Sequence, residues 1–206
     1  MAGSFALSII LFLSFSVTVD FMNHSLTPLR PWTADLSIIS PDNSLSVDSG
    51  VLEELKENPA VKAAYGRMFA YDLSMEGAAE PKKADLLTYE ENQFGWAKEY
   101  LLEGSLDTVV NQPGTALAVY EPETTIQVGD TVTLDIGGKA QQLQIAGMLS
   151  TSPFGNANDT ALLICSEDTF RQFSGTSDYT IIDIQLTNKA TDEDVNAIQQ
   201  MAGTSY

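Results

Sequence analysis

One apolar run stands at the start of this chain and has no counterpart later in it. Phe5 to Val19 reads FALSIILFLSFSVTV without a charge, and the first Lys or Arg is Arg30. A helix that spans a bilayer needs about 20 apolar residues. Ala2 to Phe21 meets that length if Ser4, Ser8, Ser14, Ser16 and Thr18 bond back to helical carbonyls, and Asp20 then falls at the interface. A secretory signal wants a basic n-region and small residues at a cleavage site. Met1 to Ser4 carries no Lys or Arg, and VTVDFMNHSL offers no such site. The basic cytoplasmic flank that sets the orientation of a first membrane helix is missing too. Two readings stay open: residues 1–22 as a transmembrane helix, whole or in part, in a chain that starts inside or just before it, or a weak signal sequence. The hydroxyl-lined face suits packing against other helices.

Everything after this segment is soluble in character and acidic. The 206 residues carry a net charge of -18. That balance argues against nucleic acid, whose phosphates need a basic footprint. It argues equally against flat adsorption to anionic lipid. A hydrophobic content of 44% indicates a folded chain. Cys165 is the only cysteine, so no intrachain disulfide forms, and the surrounding TALLIC run reads as a buried strand.

The pattern predicts an α+β fold. A linker over 23–34, extended by Pro28 and Pro31, leads from the membrane segment, with Phe21 and Trp32 as interfacial aromatics. Asp35 to Ser40 reads as a strand. A helix follows, capped by Asp48 or Ser49, with Val47, Val51 and Leu55 as its stripe and Asn58-Pro59 as its stop. Val61 to Asp72 reads as one long strand, which completes a βαβ unit. A second such unit opens at Thr180 to Leu186, where Ile182, Ile184 and Leu186 share one face and Asp183 and Gln185 the wet one. Its helix is capped by Thr191 with Asp194 three residues on, carries Val195, Ile198 and Ala202 as its apolar face, and ends at Gly203. The following strand would lie past Tyr206.

Between these units the sequence is mostly β. Leu86 to Tyr89 is a short strand, Glu91 to Leu102 a helix ended by Gly104, and Thr115 to Tyr120 a strand. Thr131 to Ile136 and Gln141 to Leu149 form a hairpin about Gly137-Gly138-Lys139, entered through a turn at Gly129-Asp130. Ser150 to Asp159 is a polar loop, Thr160 to Cys165 a buried strand, and Ser166-Glu167-Asp168 caps a short helix through Phe173. The domain organisation read from this is a βαβ-rich subdomain over 35–90 and 160–206, with an inserted β-rich subdomain over 91–159.

No catalytic set is legible. His24, the only histidine, lies in the linker without a fixed partner, and Cys165 lies in a strand away from it. Asp192-Glu193-Asp194 lacks the alternating ligand pattern of a calcium loop, and acidic residues in a first helical turn complement the helix dipole. Gly137-Gly138-Lys139 lacks the frame of a phosphate loop. Asn23-His24-Ser25 and Asn158-Asp159-Thr160 match a glycosylation sequon, which matters only in a eukaryotic secretory pathway. The expectation is therefore no catalytic residue, no metal site and no cofactor.

The order of several short phrases carries a resemblance. They are Leu55-Lys56-Glu57-Asn58-Pro59-Ala60-Val61, then Leu101-Leu102-Glu103-Gly104, Ala118-Val119-Tyr120, the stretch Ile126 to Leu134 (IQVGDTVTL) and Leu143 to Leu149 (LQIAGML). This order resembles the MacB-like periplasmic core domain of FtsX-like ABC transporter permeases. The resemblance implies a bacterial cell-membrane protein with an extracytoplasmic domain between its first two membrane helices. It implies no catalytic residues, and motion received from a cytoplasmic ATPase subunit on a separate chain. Its implied partners are other permease copies or the remaining membrane helices, membrane lipid, and an extracytoplasmic substrate or partner protein. Export or extraction of a peptide, an antibiotic or a lipoprotein is the implied activity, with regulation of cell-wall enzymes beside it. The alternative is a complete membrane-tethered binding or adhesion protein, and a surface hydrolase is a third class. Reading the gene past Tyr206 separates these. Further apolar spans of about 20 residues are expected there, and a stop codon with no permease remainder nearby overturns the expectation.

Overall fold

The computed structural model describes residues 33–80, 82–122, 124–152 and 160–203. The expected membrane helix, nearly all of the linker, His24 and the Asn23 sequon lie outside the described residues. Among the described residues no helix is long and apolar enough to cross a membrane.

Both predicted βαβ units contribute to one small sheet. Strand β1 (Leu36–Ile39) is followed by helix α1 (Ser49–Glu57) and strand β2 (Val61–Arg67). Strand β10 (Ile181–Leu186) lies between them, in the order β1-β10-β2, antiparallel to both. The two strands joined by α1 are thus parallel but not adjacent. Asp48 caps α1 by accepting the Gly50 amide at 2.6 Å. Asn58 ends it in an extended conformation, as a residue before proline does. The helix buries Leu52 and Leu55, with Val51 at the margin. Leu55 falls as expected, Leu52 takes the place of Val51, and Val47 lies in a β-bridge to Tyr179 rather than in the helix. Helix α5 (Asp192–Gly203) begins in a reciprocal cap: the Thr191 amide donates to Asp194 at 2.8 Å, and the Asp194 amide donates to Thr191 Oγ1 at 3.3 Å. Its Ile198 is buried in the same core as Ile38, Ile182 and Ile184.

The opposite face of this sheet departs from the expected alternation. Asp183, read as solvent-facing, is only 7% exposed. Its carboxylate accepts from the Arg67 guanidinium and, at 2.7 Å, from the Ser37 hydroxyl. Register explains the convergence: Asp183 pairs with Ser37 of β1 on one side and Tyr65 of β2 on the other, two residues from Arg67. The Arg67 guanidinium also lies 5.5 Å from the centroid of the Phe69 ring.

The stretch expected as one strand from Val61 to Asp72 is two. It breaks at the fully buried Met68, where strand β3 (Phe69–Glu76) leaves the small sheet for a larger one. There β3 pairs with β4 (Lys83–Tyr89), β4 with β9 (Ala161–Ser166) and β9 with β6 (Thr115–Val119). Next, β6 pairs with β8 (Lys139–Leu149) and β8 with β7 (Thr131–Ile136), and β7 returns to β3 through Met75 and Leu134. The sheet closes on itself through the short β3–β7 pairing, Met75 to Leu134 and Glu76 to Thr133. The closed sheet is an insertion into the small one: the chain leaves at Met68 and returns at Thr180.

Strands β4, β6 and β9 are buried on both faces, as near-continuous apolar runs require, while β3, β7 and β8 keep one wetter face. Leu86, Ala116, Val132, Leu143, Leu163 and Cys165 belong to the connected core. Their alternates Leu87, Leu117, Leu162 and Ile164 are buried too, on the face covered by helices. The hairpin forms as expected, with Ile136 opposite Lys139 and Gly137 and Gly138 both at positive φ. That is the two-residue turn whose twist matches the strands. Strands β4 and β9, grouped by the sequence with the βαβ part, hydrogen-bond within the closed sheet.

Two local expectations differ. Glu91 to Leu102 is a helix only as α2 (Glu91–Ala97); after one tighter turn the chain becomes β5 (Leu101–Gly104). Leu101 and Gly104 pair with Leu149 and Gly147 of β8, so an open ladder edge decides the conformation over helical periodicity. A short helix α3 (Leu106–Asn111) follows, its Thr108 amide donating to Ser105 Oγ at 3.2 Å. The sequence reading leaves it out.

Removing one member of the Arg67–Asp183 pair strands the other in a dry site. Asp183→Ala is expected to lower unfolding free energy by about 3–5 kcal/mol. The double replacement Arg67→Met with Asp183→Leu is expected to recover most of that loss. Urea denaturation of the three chains checks both.

Candidate functional site

The residues singled out from sequence do not converge. Cys165 is fully buried in β9, and burial pushes its thiol strongly up, so it is no nucleophile. Asp192 and Glu193 are exposed and Asp194 half-buried, and hydrogen bonds from Thr191 hold the Asp194 carboxyl below the ordinary range. Gly137-Gly138-Lys139 is the hairpin turn. Asn158 lies outside the described residues. Among the described residues no three His, Cys, Asp or Glu side chains are placed to share a metal ion.

What the fold does bring together is a seam between the two sheets. Tyr89 ends β4, Glu90 caps α2, Phe94 stands on α2, and Glu167 opens helix α4 (Glu167–Ser174), which Ser166 caps. Across from them stand Lys56 on α1, Gly66 on β2 and Tyr179 just before β10. A cleft of about 280 Å³ lies here, with Tyr89, Phe94 and Val110 among its walls and Lys56, Glu90 and Glu167 among its polar groups.

Each carboxylate reaches from the closed sheet to the small one. Glu90 accepts the Gly66 amide at 2.6 Å. Its own amide donates to Gln93 Oε1 at 2.7 Å, which fixes the start of α2. Glu167 pairs with Arg171 at 2.8 Å and accepts the Tyr179 hydroxyl at 3.3 Å. Arg171 in turn donates to the Tyr179 oxygen at 3.0 Å. The Tyr179 ring lies flat enough on Gly66 that a Cβ there would collide with it. Gly66 is thus held by a ring on one side and by a carboxylate on its amide. The seam is reinforced further along, where the Met68 amide donates to Thr88 Oγ1 at 3.0 Å and the Phe69 amide to Thr180 Oγ1 at 3.1 Å.

Burial sets the electrostatics. It raises the Glu90 carboxyl above the ordinary 4.5, against the Gly66 amide and Lys56, which lower it, while Glu167 and Glu53 raise it further. Burial likewise raises Glu167, against Arg171, Tyr179 and Lys56. Tyr179 is pushed up by burial first and then by Glu167. The arrangement has no activated nucleophile. Its chemistry is that of a joint: hydrogen bonds and one ring stack hold two sheets together, with a partly wet cleft between.

Sequence reasoning found Glu167 only as a helix cap and missed Glu90, Tyr179 and Arg67. One signal was available, since a glycine inside a strand pattern marks a close approach, and Gly66 is such a glycine.

No protein-family model matches the sequence, and no curated protein matches it. Solved structures do match the fold. The extracellular domain of the noncanonic ABC-type transporter YknZ from Gram-positive bacteria superposes with a TM-score of 0.53 at 13% identity, over 82% of this chain and 91% of that one. The periplasmic region of MacB from Actinobacillus actinomycetemcomitans gives 0.51 at 12% identity, over 75% of this chain and 72% of that one. The chain has the fold of these two extracytoplasmic domains.

The Tyr179–Gly66 contact yields a direct expectation. Gly66→Ala forces the ring or the strand to move and should cost about 1–3 kcal/mol of unfolding free energy in urea. Combined with Tyr179→Ala, the added methyl should cost markedly less, and equal costs in both backgrounds would refute the contact.

Proposed function

We propose that this chain is the extracytoplasmic domain of an ABC transporter permease subunit, held to the cell membrane through residues 1–22. The observation that carries this is the likeness in fold to the YknZ extracellular domain over most of both chains. In this reading the domain passes motion from a cytoplasmic ATPase subunit to a peptide, antibiotic or lipoprotein outside, for export or extraction. The physical support lies in stiffness. A lever must not bend where its parts meet, and the seam here is tied by two carboxylate-bridged contacts and by the fully buried Met68 at which the chain crosses. The acidic surface suits a domain that stays off anionic lipid. The work of hydrolysis falls to the partner chain, and the domain needs no catalytic group of its own.

Placement and coupling are tested together. Leu102 is 58% exposed on β5, so Leu102→Cys in a Cys165→Ser background is a clean labelling site. A membrane-impermeant maleimide should modify it in intact cells, and modification only after lysis would overturn the placement. Spin labels at the exposed Lys62 and Lys139, one in each sheet, should hold one separation while both shift against a membrane-embedded label when ATP is added with the ATPase subunit. No ATP-dependent shift would leave the tethered binding protein as the better reading.

A further inference from the structure

The seam carries more than stiffness. Its two bridging carboxylates, Glu90 and Glu167, both stand on the closed-sheet side and both take their donor from the small-sheet side, Gly66 N–H and Tyr179 O–H. Both line the same cleft, which opens to solvent, so protons reach them without unfolding. We propose that Glu90 and Glu167 form a protonation-sensitive clamp that sets how firmly the small sheet is held to the closed sheet. This goes beyond the transport reading and stands without it.

The charges around the clamp decide its direction. Lys56 on α1 attracts both carboxylates, with Glu53 3.6 Å from it on the same helix. Asp168 and Arg171 act on Glu167 from α4, the first repelling and the second attracting. Burial raises the hydroxyls of Tyr65 on β2 and Tyr179 before β10, and the charge of Glu90 near them raises both further. Tyr89 lines the same cleft from β4, its hydroxyl bonded to Ser152 at 3.1 Å. Two cations face four carboxylates, counting Glu53 and Asp168, and desolvation is the largest influence on both bridging groups.

The sign follows from linkage. A carboxyl whose folded value lies above its unfolded value binds more protons in the folded state, so stability falls as pH rises through the window above 4.5. A neutral carboxyl still accepts from the Gly66 amide and the Tyr179 hydroxyl through its carbonyl oxygen. Protonation thus keeps an acceptor in both bridges; it gives up the attraction of Lys56 and Arg171, but the relief of desolvation, the largest influence on both groups, outweighs that loss. The clamp tightens on mild acidification and loosens as both groups ionise.

The Gly66 amide reports the state of Glu90 directly. In the full chain in detergent micelles, its nitrogen and proton shifts should titrate with a midpoint above 4.5. Glu90→Gln should abolish that titration. Glu167→Gln should move the midpoint down, since one neighbouring negative charge is gone. Protection of the Gly66 amide from exchange, corrected for intrinsic rate, should fall as pH rises through the midpoint. A wild-type midpoint at or below 4.5, a midpoint that ignores Glu167→Gln, or protection that rises with pH would each overturn the clamp. The wild-type titration alone decides if a variant fails to fold. Such a failure leaves the transport reading untouched, because impermeant labelling at position 102 does not depend on the state of Glu90.

Discussion

The polypeptide crosses from one sheet to the other between Arg67 and Phe69, and the structure depends on how that crossing is held. Arg67 is the last residue of β2 and binds Asp183 of β10 in a buried ion pair. Phe69, the first residue of β3, lies beneath the same guanidinium. Met68 between them is fully buried, its amide satisfied by Thr88 and its carbonyl by the Thr88 amide at 3.1 Å. A charge buried this way is costly unless both partners and their lone pairs are satisfied, and Ser37 supplies the remaining donor to Asp183. The pair fits the register seen here, in which Asp183 lies opposite Ser37 on β1 and two residues from Arg67 along β2.

From that exit the larger sheet must return to its start, and it does so by closing. Strand β8 makes this possible because it is long enough to serve three neighbours: β7 along its first half, β6 on the other side of its second half, and β5 on the edge that β7 leaves open. The short β5 follows from this. Without an open ladder beside it, Leu101 and Leu102 would continue the helix that their spacing favours. Helices then cover the outer face of β4, β6 and β9, and the same helices and strand ends build the cleft at the seam.

Strong local signals were legible in the sequence because their causes are local. The glycine pair of the hairpin, the Thr191–Asp194 cap, the Asn58-Pro59 stop and the alternation of β7 and β8 each follow from backbone conformation or from one repeating face. The order of such phrases also pointed to a fold that the solved structures share. The seam was not legible in this way. Glu90 meets Gly66 24 positions earlier, and Phe69 meets Thr180 111 positions later. No spacing rule within a strand or helix encodes such a pair.

The sequence by itself determined an acidic α+β chain, the positions of most strands, the caps of its helices, and the burial of Cys165. Each rests on residues that are neighbours in the chain. Tertiary structure alone decided that Val61 to Asp72 is two strands, that Glu91 to Leu102 is part helix and part strand, that Asp183 is dry, and that the sheet closes. Those outcomes turn on whether a distant strand edge, cation or ring stands opposite. An unpaired amide or unmatched charge costs more in the interior than local propensity can offset.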